Sequence, residues 1–111
     1  MTEGLQIWSF LHVEDVARAF ALAVEGKIAG GCYHLAALEH RRLRDFVEEM
    51  KAIAESRSEI QYGAVPYPAG EIPHVIFVSR KGQREFPWSP MISFSDGMRE
   101  MVAHYRSLAG V

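Results

Sequence analysis

The chain has 111 residues, 49% of them hydrophobic and 23% charged, with a net charge of −2 and a single cysteine. That length suits one domain spanning residues 1–111, with a modest core that buries roughly 60–70% of the unfolded surface. The composition is globular rather than disordered, and the slightly acidic balance argues against nucleic-acid binding, which needs a basic stripe.

No apolar run approaches the ~18 residues of a membrane span, and the N-terminus lacks the basic and apolar regions of a secretory signal. Cys32 alone cannot form an internal disulfide and fits a reducing, cytoplasmic setting. Residues 6–13 are rich in β-branched and aromatic side chains (Ile7, Trp8, Phe10, Val13) and predict a strand. Glu14 or Asp15 then offers a carboxylate to the open amides of a first helical turn. From Val16 the apolar positions Ala19, Phe20, Ala23 and Val24 keep helical spacing, with Gly26 as the stop. Gly30-Gly31 predicts a turn, and residues 32–36 a short strand.

A second helix is expected over residues 41–54, with Leu43, Phe46, Val47, Met50 and Ile53 along one side. The run Arg41-Arg42-Leu43-Arg44 reads as its solvated face. Residues 59–62 predict another strand. Three prolines make residues 66–73 a loop. A short strand over 74–78 and a short helix over 81–86 are expected before Pro87. Ser93 and Asp96 form a capping-box-like entry to a last helix whose apolar face is Met98, Met101, Val102 and Tyr105. The class is α/β or α+β: a small sheet of three or four short strands with about three helices.

Little in this chain carries chemistry by itself. The five histidines (His12, His34, His40, His74, His104) show no spacing typical of zinc ligands, so no metal is expected. His12, ending the first strand, reads as a backbone anchor, Trp88 as a packing plug and Cys32 as inert core. There is no glycine-rich strand-turn-helix to cradle a dinucleotide pyrophosphate. None of the four tyrosines (Tyr33, Tyr62, Tyr67, Tyr105) is followed four residues later by lysine.

Residues 8–18, Trp8-Ser9-Phe10-Leu11-His12-Val13-Glu14-Asp15-Val16-Ala17-Arg18, resemble the "(R)DF(I/L)HV(D/E)DVA(R/E)A" signature of the extended short-chain dehydrogenase/reductases, the NAD-dependent sugar-nucleotide epimerases and dehydratases. Gly4-Leu5-Gln6 is similar to the "G-x-Q" before that signature, and Gly31 to Ala36 to its "G-x-x-Y-N-I/L-G/A" strand. Leu43 to Phe46 falls at its "S-x-x-E-L" helix, and Pro66 to Glu71 at its "P-x-R-P-G-D/E" loop. Ser79 to Pro90 and Ile92 to Met98 resemble its two C-terminal motifs. Six pieces occur in the family's order, covering nearly the whole chain.

The resemblance implies the C-terminal, substrate-binding part of such an enzyme, with the Rossmann domain absent and the chain inactive alone. NAD or NADP would then belong to the full-length parent, and this chain would hold neither cofactor nor catalytic residue. Its partners would be a nucleotide-sugar and the missing N-terminal domain. Trp8, Phe10, Tyr67 and Arg80 are the positions expected to face substrate. Trp8 and Pro68 stand where the family commonly carries arginines that grip the substrate pyrophosphate. That departure leaves open an alternative, a non-catalytic ligand-binding or interaction module that kept the fold. Ile7, Trp8, Phe10, Val65, Ile72, Val75 and Phe77 are many large apolar residues for so small a chain to hide. A homodimer joined through the first strand and the 66–73 loop is therefore expected.

Overall fold

The computed structural model describes residues 1–26, 30, 33–70 and 88–110. Strand β1 (Ile7–Trp8) pairs antiparallel with β2 (Arg41–Arg42), Ile7 opposite Arg42 and Trp8 opposite Arg41. This two-stranded ladder is the whole sheet among the described residues, smaller than the three or four strands expected. The reason is that the β-branched and aromatic residues pack without pairing. Phe10 lies edge-on to Phe46 at 5.0 Å. Leu11, Tyr33 and Leu35 gather around Ala19 and Trp88. Burial satisfies the side-chain preference that strand propensity reports, and no ladder is needed.

Residues 59–62 form no strand either. Their backbone meets the N-terminus through isolated bonds: the Met1 ammonium donates to the Gln61 carbonyl at 3.0 Å, and Val65 N–H to the Met1 carbonyl at 3.1 Å. The expected strand over 74–78 and helix over 81–86 lie outside the described residues, as do Gly31, Cys32 and the end of the 66–73 loop.

Helix α1 (Val13–Val24) starts three residues before the expected position, because its cap is His12 and not Glu14 or Asp15. The Glu14 N–H donates to His12 Nδ1 at 3.0 Å, occupying one of the four amides that a helix leaves open. His12 is thus the backbone anchor expected from the sequence. Gly26, at φ +70°, follows the last turn.

Helix α2 (Leu43–Ile53) begins where β2 ends, so Arg41 and Arg42 belong to the ladder and not to a helix face. Arg42 instead reaches forward to Asp45 with two 3.0 Å bonds. Helix α3 (Phe94–Ala109) carries the Ser93 half of the expected capping box: Ser93 Oγ accepts from Asp96 N–H at 3.1 Å, while the Asp96 carboxylate lies 3.6 Å from Arg99. Its apolar face is only half covered, leaving Met101 48% and Tyr105 64% exposed. Arg106 crosses to the open end of α2 and donates to the Ala54 carbonyl at 2.8 Å.

Two small clusters make the core. One joins Ala19 of α1 to Trp88, and the other centres on Phe46 of α2; these three are the buried apolar residues among those described. Much apolar surface stays in water: Val13, Val24, Leu38 and Met91 are all exposed.

Candidate functional site

β1 turns Trp8 and Phe10 toward the junction of α2 and α3. The Trp8 and Phe10 rings meet edge-on at 6.2 Å, and Phe10 also contacts Phe94 at 5.9 Å. Phe46 and Phe94 lie 4.6 Å apart, closing a four-ring cluster. Arg41, directly across the ladder from Trp8, lays its guanidinium over Phe46 at 4.3 Å and over Phe94 at 5.5 Å.

That cation is already committed. Its Nη2 donates to Glu49 at 2.5 Å and lies 3.2 Å from Glu39. Glu49 also accepts from the Ser95 hydroxyl. The Ser95 bond, reinforced by Arg41, holds the Glu49 carboxyl below its usual range against the opposing effect of burial. The Trp8–Phe10 face therefore presents aromatic surface with a neutralised arginine beneath it. Exposed aromatic rings of this kind can stack against a planar or apolar ligand face.

The other expected site residues fall elsewhere. Tyr67 folds back on the N-terminal segment, its hydroxyl accepting from Leu5 N–H at 3.0 Å, so it approaches the strand's backbone and is not part of the aromatic cluster. Arg80 lies outside the described residues. Among the described residues no group of three histidine, cysteine, aspartate or glutamate side chains could hold a metal ion.

Sequence reasoning missed the principal buried charge. Asp15 is 1% exposed, and its carboxylate ties α1 to the segment entering α3. Oδ1 accepts from Met91 N–H at 3.0 Å and from Arg18 at 2.6 Å, while Oδ2 accepts from Ile92 N–H at 3.0 Å. The Trp88 indole N–H donates to the Asp15 carbonyl at 2.9 Å, so the packing plug is also latched to α1. Burial pushes the Asp15 carboxyl up, but the bonds from Met91, Arg18 and Ile92 outweigh it and hold the group below its ordinary value. An acidic residue in a first helical turn reads as a cap, and nothing local reveals partners 76 and 77 residues away.

Beside the aromatic cluster lies an apolar groove of about 740 Å³, bounded by the entry to α1 and by α2 and α3. Phe10 and Phe46 are shared between the cluster and the groove. Two polar groups lining it are spent on helix caps: His12 Nδ1 on α1 and Ser93 Oγ on α3. Because Nδ1 accepts, the neutral ring carries its proton on Nε2, which faces Glu100 at 3.5 Å. Gly97 permits this approach, since a β-carbon there would sit 3.0 Å from the imidazole edge.

A scan against protein-family models and a search of curated proteins find no match. Solved structures do match. UDP-glucose 4-epimerase from Thermotoga maritima, in complex with UDP-glucose, superimposes with a TM-score of 0.84 at 21% identity over 96% of this chain and 33% of its own. UDP-glucuronic acid 4-epimerase from Bacillus cereus, with UDP-glucuronic acid and NAD, gives 0.83 at 21% over 97% and 34%. dTDP-glucose 4,6-dehydratase from Bacillus anthracis, with NAD, gives 0.77 at 24% over 94% and 32%. At these identities the likeness is one of fold. The chain spans about a third of the length of the structures it matches.

Proposed function

We propose that this chain is the substrate-side portion of an NAD(P)-dependent nucleotide-sugar epimerase, dehydratase or reductase, and that it is not catalytic alone. The observation that supports this most is the fold match, which takes in nearly all of this chain but a third of each enzyme. The order of the six sequence motifs points the same way. In this reading the cofactor and the proton-transfer groups belong to a nucleotide-binding domain supplied elsewhere. Trp8 and Phe10 meet the substrate through their rings, and Tyr67 and Arg80 complete the substrate-facing set. A two-fold homodimer in the cytoplasm is the assembly this reading expects.

A second reading is favoured by Trp8 and Pro68 at the expected arginine positions. A module without those cations, and with Arg41 neutralised by Glu39 and Glu49, would keep the fold as a binding unit without pyrophosphate affinity. The reading frame upstream of Met1 separates the two. An in-frame glycine-rich strand-turn-helix followed by Tyr-x-x-x-Lys supports the enzyme.

Nuclear magnetic resonance of the labelled chain with millimolar UDP-glucose and dTDP-glucose tests the site. Weak binding should shift the Trp8 indole and Tyr67 signals and leave the buried Trp88 indole in place. Shifts confined to residues remote from β1 would refute the assigned face. Calorimetric titration with NAD and NADP should show no binding, because no glycine-rich turn presents amides to their pyrophosphate. Micromolar affinity for either would overturn the division of labour.

A further inference from the structure

We propose that the groove between the entry to α1, α2 and α3 is a docking site for an amphipathic helix with a basic edge. Its floor includes Phe10, Val47, Met50, Met98 and Met101. Phe10, Met50 and Met101 are 42%, 39% and 48% exposed, so the floor is open to solvent. Methionines make such a floor adaptable, because their unbranched thioether chains repack around varied apolar side chains.

Among the described residues, the permanent charge lining this floor has one sign. Of these residues Glu14 and Glu100 line it together with His12 and His104, and no lysine or arginine does. Among the described residues Glu100 pairs with His12 at 3.5 Å, and its side chain remains 63% exposed. Carboxylates beside an exposed apolar floor complement lysine or arginine flanking an apolar stripe, and like charges across such a rim are penalised.

A small polar ligand suits the groove less well. Small-molecule sites need a few convergent polar groups to orient the ligand. Here His12 Nδ1 and Ser93 Oγ are both used in helix caps, which leaves Glu14, Glu100, His104 and Tyr105 as the polar part of a mainly apolar lining. An α-helix brings its own backbone hydrogen bonds and needs only apolar side chains at i, i+3, i+4 and i+7 to fill a groove of this kind. The matched structures also carry this fold as about a third of a longer chain, so polypeptide is the natural material to cover it. The groove shares Phe10 with the aromatic face proposed to meet substrate, but Trp8 and Tyr67 do not line it, and the peptide test reads its α2 and α3 walls, so the inference stands or falls apart from the nucleotide-sugar reading.

Two synthetic helical peptides test it, sharing a leucine stripe at i, i+3, i+4 and i+7 but edged with lysine in one and glutamate in the other. Calorimetry and chemical-shift mapping with the full 111-residue chain should show the lysine-edged peptide binding roughly tenfold tighter, with shifts in α2 and α3. Molar salt should collapse that preference. Glu100→Gln should reduce it about threefold. Met101→Lys, at a half-exposed position, should abolish binding while circular dichroism stays unchanged, and Met50→Lys serves as the second such variant. Equal affinity for the two peptides, preference for the glutamate edge, or no binding by either would overturn the proposal. So would a homodimer that Met101→Lys dissociates, since a second copy would then be the occupant.

Discussion

Replacing Asp15 by alanine should remove an appreciable part of this chain's stability. The carboxylate is 1% exposed and accepts from two backbone amides, Met91 and Ile92, and from the Arg18 guanidinium. Truncation leaves two part-buried N–H groups without this acceptor, each costing up to about 1–3 kcal/mol. It also leaves Arg18 without its carboxylate, although Arg18 keeps its 2.7 Å bond to the Ser89 carbonyl. The expected loss is about 2–4 kcal/mol, below the full range for a buried ion pair because the Arg18 side chain is 35% exposed. That is an appreciable share of what a typical domain has, about 5–15 kcal/mol.

Urea unfolding followed by far-ultraviolet circular dichroism and by tryptophan fluorescence measures this, because Trp88 is latched to the same residue. The pH dependence gives an independent check. The folded Asp15 carboxyl titrates below its ordinary value of 3.8. Its contribution is therefore fully present above about pH 4 and is lost as the pH falls through the folded value. The acid limb should flatten in Asp15→Ala, leaving the share owed to other lowered carboxyls such as Glu49. A variant within 1 kcal/mol of the parent, with an unchanged acid limb, would refute the latch.

Gly4→Ala should destabilise by about 1–3 kcal/mol, since Gly4 sits at φ +67° and its new β-carbon would lie 3.0 Å from Arg44 Cβ and 3.1 Å from Arg44 N. Thermal unfolding reads that loss. Trp8→Arg with Pro68→Arg should raise UDP-glucose affinity roughly tenfold, as charge-assisted bonds to phosphate oxygens allow; calorimetry with no gain would mean these are not the pyrophosphate-facing positions. Light scattering at micromolar concentration should report a dimer that survives Met101→Lys, because the expected contact is β1 and the 66–73 loop. A monomer that also fails to bind a hydrophobic dye would show that the exposed Phe10, Val65 and Tyr67 do not drive association.

Sequence alone determined the features whose physics lies within a turn or two of chain. Ser93 and Asp96 stand three apart, so the Ser93 cap on the Asp96 amide was legible and formed. The helical spacing after Val16, the stop at Gly26 and the apolar face of α2 around Phe46 were legible for the same reason. The family likeness was legible because it too is a matter of order and spacing, and the fold match agrees with it. Only the tertiary structure decided which apolar segments would pair as strands. Propensity records a preference for burial, while a ladder also needs a partner in register, and α2 starting at Leu43 leaves β1 two residues to pair with.

The role of Asp15 was hidden for a related reason. A carboxylate after a strand has the same local appearance whether it caps its own helix or holds amides 76 and 77 residues onward. His12 took the cap because the turn began earlier, freeing Asp15 to point into the core. The groove was hidden more deeply still, since its floor is assembled from three separate stretches of chain. Periodicity marks Met98 and Met101 as an apolar face, but whether that face is covered depends on what packs against it, and that is decided in three dimensions.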